Sequence, residues 1–346
     1  MHVIIVGAGP SGCLVGKIIA EKGYDVLILE EHSEIGKPVQ CTGLVSQRIG
    51  KIPKEIIVNK IKKAKFFSKG KFFEIKSKKK VFLLDREKYD KYLARKAEKA
   101  GAKIKLNTRF LNFKNCKVMT SKKTYETKIL VGADGPNSTV AKVCKISLPK
   151  NLLKAVQVKV KSSFVKDTVE LWFGSDIAPG LFAWVVPENE EIARVGLMTY
   201  LNPNKFLDKF LEKRFENCKV FGRCGDVIRY GLIKKSVSNN VLLVGDAACQ
   251  VKPFSAGGLV YGKICAEIAG KACVKALEEN NFSEKFFLEN YEKKWKKKLG
   301  FSIKQGLLMK KFFSKIQDKP FAFDLIKNLG ISKLAAFLDM DFLGKD

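Results

Sequence analysis

Three glycines near the N-terminus, Gly7, Gly9 and Gly12, stand in the spacing Gly-x-Gly-x-x-Gly, with Ser11 inside the motif. They follow the apolar run Val3-Ile4-Ile5-Val6 and open a stretch, Ser11 to Lys22, with helical apolar spacing. In that setting the chemistry is phosphate binding. The first glycine makes a tight turn, the second lets the backbone approach a pyrophosphate, and the third lets helix and strand pack closely, with helix N–H groups and dipole facing the phosphates. Glu30 follows 18 residues after Gly12, at the end of a second apolar strand. A carboxylate there can accept hydrogen bonds from a ribose diol. Together these residues predict a dinucleotide site and leave the dinucleotide open.

Two further segments put an acid beside glycine at the end of a short apolar run: Gly132-Ala-Asp134-Gly135-Pro-Asn-Ser138 and Val244-Gly245-Asp246-Ala-Ala248. Ligands of an open α/β sheet bind at the carboxyl ends of its strands. The elements that must carry these motifs are legible. Asp85–Ala100 reads as a helix capped by Asp85, and a long helix runs from Gly257 to about Glu278. Between Leu152 and Tyr230 the apolar residues alternate, as in Val156–Val160, Val169–Phe173, Phe182–Val186 and Ala193–Leu197, which predicts an antiparallel sheet. Gln47–Leu84 alternates Lys with Phe and Ile, reading as antiparallel strands or a basic flap. The predicted fold class is α/β (α+β). A discontinuous Rossmann-like nucleotide domain with a parallel sheet takes 1–46, 81–150 and 231–280. An antiparallel-sheet substrate domain takes 47–80 and 151–230, and a basic helical region takes 281–346.

With these motifs in this order, and Phe254-Ser-Ala-Gly257-Gly258 closing the set, the chain resembles the flavoproteins that include aromatic hydroxylases and geranylgeranyl reductases. The resemblance covers about residues 1–280 and implies FAD as the bound cofactor. It implies that Asp246 holds the ribityl chain or its neighbouring phosphate, that Asp134 and Gly135 flank the cofactor, and that Gly257 and Gly258 bring N–H groups to the flavin's N1 and O2 edge.

Three segments are similar to the geranylgeranyl reductase branch: Pro38-Val-Gln-Cys41-Thr-Gly43, Leu84-Asp-Arg86-Glu-Lys-Tyr89-Asp90, and Pro179-Gly-Leu-Phe182-Ala-Trp184-Val-Val-Pro187. The resemblance implies Cys41 beside the flavin and Phe182, Trp184 and Pro187 lining the substrate cavity. Arg86 falls either near the cofactor or in a surface pair with Asp85 and Asp90. Phe182, Val186 and Glu188 depart from the branch's usual Tyr, Phe and Lys. The activity implied is FAD-dependent saturation of isolated C=C bonds in isoprenoid chains, of archaeal ether lipids or prenyl diphosphates, by hydride transfer from reduced flavin N5. The alternative on the same scaffold is a flavin monooxygenase, hydroxylase or halogenase. A proton must reach the second carbon. The two histidines, His2 and His32, stand at the first strand and beside the ribose acid, so Cys41 is the candidate; its other reading is a small buried filler. The electron donor stays open among NADPH, ferredoxin and reduced deazaflavin, and a donor protein is among the expected partners.

Composition sets the remaining bounds. The 346 residues hold 65 Lys+Arg against 35 Asp+Glu, a net charge of +30. Ten Lys and one Glu lie in 60–80, and eleven Lys and four acids in 284–319, so 16 of the 30 excess charges sit in two short segments. Specific nucleic-acid binding is not expected, because no binding module accompanies the charge and Lys outweighs the Arg that base contacts favour. The tail mixes Lys with Phe286, Phe287, Trp295, Leu299, Phe301, Phe312 and Phe313, which reads either as a helix on an anionic membrane surface or as one packed on the cap domain with a solvated Lys face. Nine scattered Cys without a Cys-x-x-Cys pair predict no disulfide framework and no metal site. With no membrane-spanning run and no signal-peptide layout, the expectation is a cytoplasmic protein, peripherally bound to membrane at most.

Overall fold

The computed structural model describes residues 1–318, so the expected helical region is described only to Asp318 and the rest of 281–346 lies outside the described residues. Val3–Val6 is the centre of the first sheet, paired in parallel with Val26–Leu29 on one side and Ile129–Gly132 on the other. All four side chains are at most 7% exposed, as a strand covered on both faces requires. The full order of this six-stranded sheet is Val237–Ser238, Val241–Leu243, Ile129–Gly132, Val3–Val6, Val26–Leu29, Lys103–Lys105. Strands from the beginning, middle and end of the chain thus lie side by side, and their carboxyl ends carry the glycine motif, the Asp134 turn and the Asp246 turn together.

Two helices pack on this sheet and on each other, Pro10–Ala20 and Leu259–Glu278. Small residues make the approach: a side-chain carbon on Gly16 would fall 2.7 Å from Ile28 Cδ1, and one on Gly270 would fall 2.9 Å from Ile18. The helix Arg86–Lys99 starts where expected, with the Asp85 carboxylate accepting the Lys88 N–H at 3.0 Å.

The second sheet has eight strands in the order Lys219–Arg229, Leu152–Lys161, Ile192–Thr199, Phe182–Pro187, Thr168–Phe173, Ile57–Ser68, Lys71–Leu84, Leu44–Ser46. The basic segment is therefore a long hairpin in this sheet. Leu44–Ser46 and the end of Lys71–Leu84 belong to it as well. A small three-stranded sheet within 110–126 has no counterpart in the sequence reading.

Alternation divides the large sheet's two faces. Ala183, Val185, Val195 and Leu197 face one core, closed by Leu207, Phe210 and Leu211 of the helix Pro203–Arg214. Phe182, Trp184, Val186 and Met198 face the other, where they meet Val251, Phe254 and Ala256 of the loop before the Leu259–Glu278 helix. The C-terminal helix Lys293–Ile316 adds Leu307 and Phe313 to that side.

Candidate active site

The glycine loop is crowded where the fold needs it and open where a ligand would lie. A side-chain carbon on Gly7 would fall 2.3 Å from the Ala133 carbonyl oxygen, and one on Gly12 only 2.0 Å from that of Gly7, but one on Gly9 would meet nothing within 4 Å. Gly135 faces open space in the same way. Ser11 is wedged at a joint, its hydroxyl lying where side-chain carbons on Gly245 and Gly262 would have to go.

The acids divide into two kinds. Glu30 is tied within the chain: one oxygen accepts the Ala8 N–H at 2.9 Å, and the other accepts the His32 N–H at 3.0 Å and lies 2.7 Å from His32 Nδ1. Its carboxylate shapes the glycine loop while standing at the end of the second strand. Asp134 accepts from Ser138 Oγ at 2.7 Å and from the Val140 N–H at 3.0 Å, anchoring the turn that presents Gly135. Asp246 is different. The residue is solvent-exposed between buried Gly245 and Ala247, yet the protein packed around its carboxyl partly desolvates it. Burial pushes its pKa up to about 6, Arg86 opposing the rise and Asp226 adding to it. Gly258 is required beside it, since a side-chain carbon there would fall 2.6 Å from Asp246 Oδ1.

The loop between Asp246 and Gly258 is held in an unusual path. Cys249 and Ala256 have φ of 55° and 56°, a left-handed conformation costing a non-glycine residue about 1 kcal/mol. A buried chain of bonds holds it: Gln250 Oε1 accepts the Gly245 N–H at 2.7 Å, Gln250 Nε2 donates to the Tyr291 hydroxyl at 2.8 Å, and that hydroxyl donates to the Leu243 carbonyl. Neither Gln250 nor Tyr291 stands out in the sequence.

Cys41 lies in an irregular segment between the two sheets. Its sulfur accepts the Gly43 N–H at 3.3 Å, and the Arg86 guanidinium lies within electrostatic reach of it. Arg86 makes a two-pronged bond to Asp90, at 3.1 and 3.0 Å. Burial works against the Arg86 cation, but the Cys41 sulfur and Asp90 outweigh it and raise its pKa. Arg86 therefore stands inside, within electrostatic reach of both Cys41 and Asp246, and not in a surface pair. Gln157 ties Cys41's neighbour to the Phe182–Pro187 strand: its Oε1 accepts from Thr42 Oγ1 at 2.7 Å and from Trp184 Nε1 at 3.1 Å. Cys224 is paired with Gln157 across the strands, and burial, then the nearby Cys41, raise its thiol pKa.

Phe182 and Trp184 lie on the face turned toward the loop between Asp246 and Gly258, with Phe182 5.9 Å from the Phe254 ring and 6.3 Å from Trp184. Phe173 and Phe313 extend this aromatic wall. Pro187 falls in the alternation with Ala183 and Val185, at the far end of the strand, and its carbonyl accepts from Asn59 Nδ2 at 2.8 Å. The structure thus brings Cys41, Arg86, Asp246, Phe182 and Trp184 around one region and leaves Pro187 outside it.

These residues fit FAD. The open side of Gly9, with Gly12 at a helix start, suits a pyrophosphate; Asp246 and Gly258 suit the ribityl chain and the flavin's polar edge; and an apolar aromatic wall stands opposite. Residues 1–205 match the FAD binding domain family. The chain is 32% identical to the digeranylgeranylglycerophospholipid reductase of Methanosarcina acetivorans over 92% of its own length and 86% of that protein's. It is 30% identical to the protein of the same name from Methanocaldococcus jannaschii, over 91% of this chain and 87% of that one. Among solved structures, a geranylgeranyl bacteriochlorophyll reductase-like protein of Thermoplasma acidophilum has the same fold, with a TM-score of 0.87 at 23% identity over 98% of this chain and 95% of that one. Flavin-dependent halogenases share the fold at a greater distance, a brominase reaching a TM-score of 0.74 at 16% identity over 96% of this chain and 92% of that one. On these matches the chain belongs to the geranylgeranyl reductase family of FAD-dependent oxidoreductases.

Proposed function

We propose that this protein uses FAD to saturate isolated C=C bonds in the isoprenoid chains of a lipid. The observation that carries this reading is the contact between the large sheet and one loop: the aromatic face with Phe182 and Trp184 packs on the loop that ends in Gly257 and Gly258. An apolar chain laid along that face comes up against the cofactor region, and the relatives named as digeranylgeranylglycerophospholipid reductases act on such chains. Bound FAD supplies the hydride once reduced. The chain's own residues do the rest. Gly9, Gly12, Asp246, Gly257 and Gly258 hold the cofactor, and Phe182 and Trp184 hold the alkene in an apolar slot and exclude water. Cys41, with the Gly43 N–H on its sulfur and the Arg86 charge nearby, holds the proton that the second carbon takes up. The test is anaerobic incubation of the reduced, FAD-loaded protein with an unsaturated isoprenoid lipid, read by mass.

The same reading extends to the membrane. On the Lys293–Ile316 helix, Phe301, Leu308 and Phe312 are 64, 68 and 57% exposed, and their spacing of seven and four residues puts them on one side, among exposed Lys297, Lys304, Lys311 and Lys315. The turn of the basic hairpin meets the end of this helix, Lys69 Nζ bonding the Asp318 carbonyl, and it carries Phe72, 59% exposed. Apolar side chains among lysines suit the interface of an anionic bilayer, where a long-chain lipid substrate resides. No helix among the described residues is long and apolar enough to cross a membrane.

A further inference from the structure

The segment carrying Cys41 belongs to no helix or strand, so something other than a backbone ladder must fix the sulfur. Its anchor comes from the Ile192–Thr199 strand of the large sheet, on the same face as Trp184 and Val186. Arg194 Nη1 donates to the Thr42 carbonyl at 2.5 Å and to the Leu84 carbonyl at 3.0 Å, and the Leu84 N–H bonds the Gly43 carbonyl at 2.9 Å. One guanidinium nitrogen thus pins the residue after Cys41 to the edge of the hairpin. Gly43 gives it room: φ is +79°, and a side-chain carbon there would fall 3.2 Å from Arg194 Nη1.

Arg194 is itself held. It is 7% exposed, and its Nε donates to Glu188 Oε1 at 2.7 Å. Lys159 Nζ lies 3.0 Å from the same oxygen. Burial works to raise the Glu188 carboxyl, but Arg194 and Lys159 outweigh it and hold it below the usual range. Glu188 follows the Phe182–Pro187 strand directly, so the strand that lines the substrate face also carries the acid that orients the anchor of Cys41.

We infer that Arg194, oriented by Glu188, is a positioning residue for Cys41, setting where the sulfur stands relative to the Trp184 strand. A planar guanidinium can meet a carboxylate and two carbonyls at fixed angles, which an ammonium cannot. The inference rests on the reading that Cys41 serves the reduction.

The test uses the FAD-loaded protein with Arg194→Lys and with the double replacement Glu188→Met and Arg194→Met. The second variant removes both charges, leaving no unpaired buried ion to unfold the sheet. Hydrogen exchange is followed in peptides covering residues 40–44 and 182–187, together with kcat and KM on an unsaturated isoprenoid lipid. In both variants exchange in 40–44 should rise about tenfold while 182–187 stays protected, and kcat should fall about tenfold with KM within about threefold, the size of effect expected when a catalytic group loses its alignment. Unchanged exchange in 40–44 overturns the inference, as does faster exchange with kcat intact. The exchange arm needs no lipid, so it decides the Arg194 claim even where the parent protein reduces no isoprenoid, a result that sinks the reductase reading instead.

Discussion

Lys310 Nζ sits 3.7 Å from the centroid of the Tyr230 ring and donates to the Pro253 carbonyl at 3.1 Å, although the residue is only 3% exposed. The C-terminal helix thereby clasps the loop that leads to Gly257 and Gly258. Burial lowers the Lys310 pKa from 10.5 to about 7. Between those values the unfolded chain binds the extra proton, so this group makes stability rise with pH above about 7 and keeps its full penalty below it. Replacing Lys310 by Met should flatten that rise. The stability difference between the two proteins should change by up to about 1.4 kcal/mol per pH unit, measured by urea unfolding at pH 7, 8 and 9. Parallel profiles would show that the ammonium is not desolvated.

Gly9 and Gly12 are expected to fail in different ways. Gly9→Ala puts a methyl into open space, so the protein without FAD should keep its melting temperature while its FAD affinity drops at least about tenfold, a bulk effect on close phosphate approach. Gly12→Ala drives a methyl to within 2.0 Å of a backbone oxygen and should destabilise the fold with or without cofactor. Calorimetry and flavin-fluorescence titration on both variants separate the two outcomes; equal melting temperatures would contradict the assigned roles.

Asp246 holds a charge that the fold would rather not have. With its pKa raised from 3.8 to about 6, the folded protein binds the proton more tightly, so the penalty is full above about pH 6 and vanishes below about pH 4. Asp246→Asn should raise the melting temperature of the FAD-free protein at pH 7, modestly because the side chain reaches solvent, and leave it unchanged at pH 4. The same variant should bind FAD at least about tenfold more weakly, since its carboxylate is lost as an acceptor. A variant that binds FAD as tightly as the parent would remove Asp246 from the cofactor site.

Replacing Phe301, Leu308 and Phe312 together by Ser should abolish binding to vesicles containing anionic lipid while leaving FAD binding and the melting temperature within experimental spread. Parent protein should sediment with those vesicles and release at high salt. Equal sedimentation of both proteins would move the membrane contact elsewhere.

The nucleotide half of the fold was legible because its signals are local: a buried strand, a glycine turn and a helix start fall within Val3 to Ala20. The helix at Asp85 was equally plain, its cap being three residues from the N–H it accepts. What could not be read were contacts between distant segments. Gln157 meets Thr42 across 115 positions and Arg194 meets it across 152, so neither carries a local pattern. Lys310 hides among the other lysines of its helix, and only packing shows that it points inward. The strands within 110–126 are only three to five residues long, with no alternation sustained enough to mark them. Glu188 looked like a departure from the branch's pattern, and the structure gives it a partner, Arg194.

Reduction of an isoprenoid double bond leaves its mark on the lipid itself. FAD-loaded protein, reduced with dithionite and kept under anaerobic conditions, is given a digeranylgeranylglycerophospholipid, and the lipid is analysed by mass spectrometry. Such a reduction gives mass gains in steps of two hydrogens, and none when Cys41 is replaced by Ala. An unchanged lipid from active, fully reduced protein, or an oxygenated product formed only when air is admitted, would contradict it.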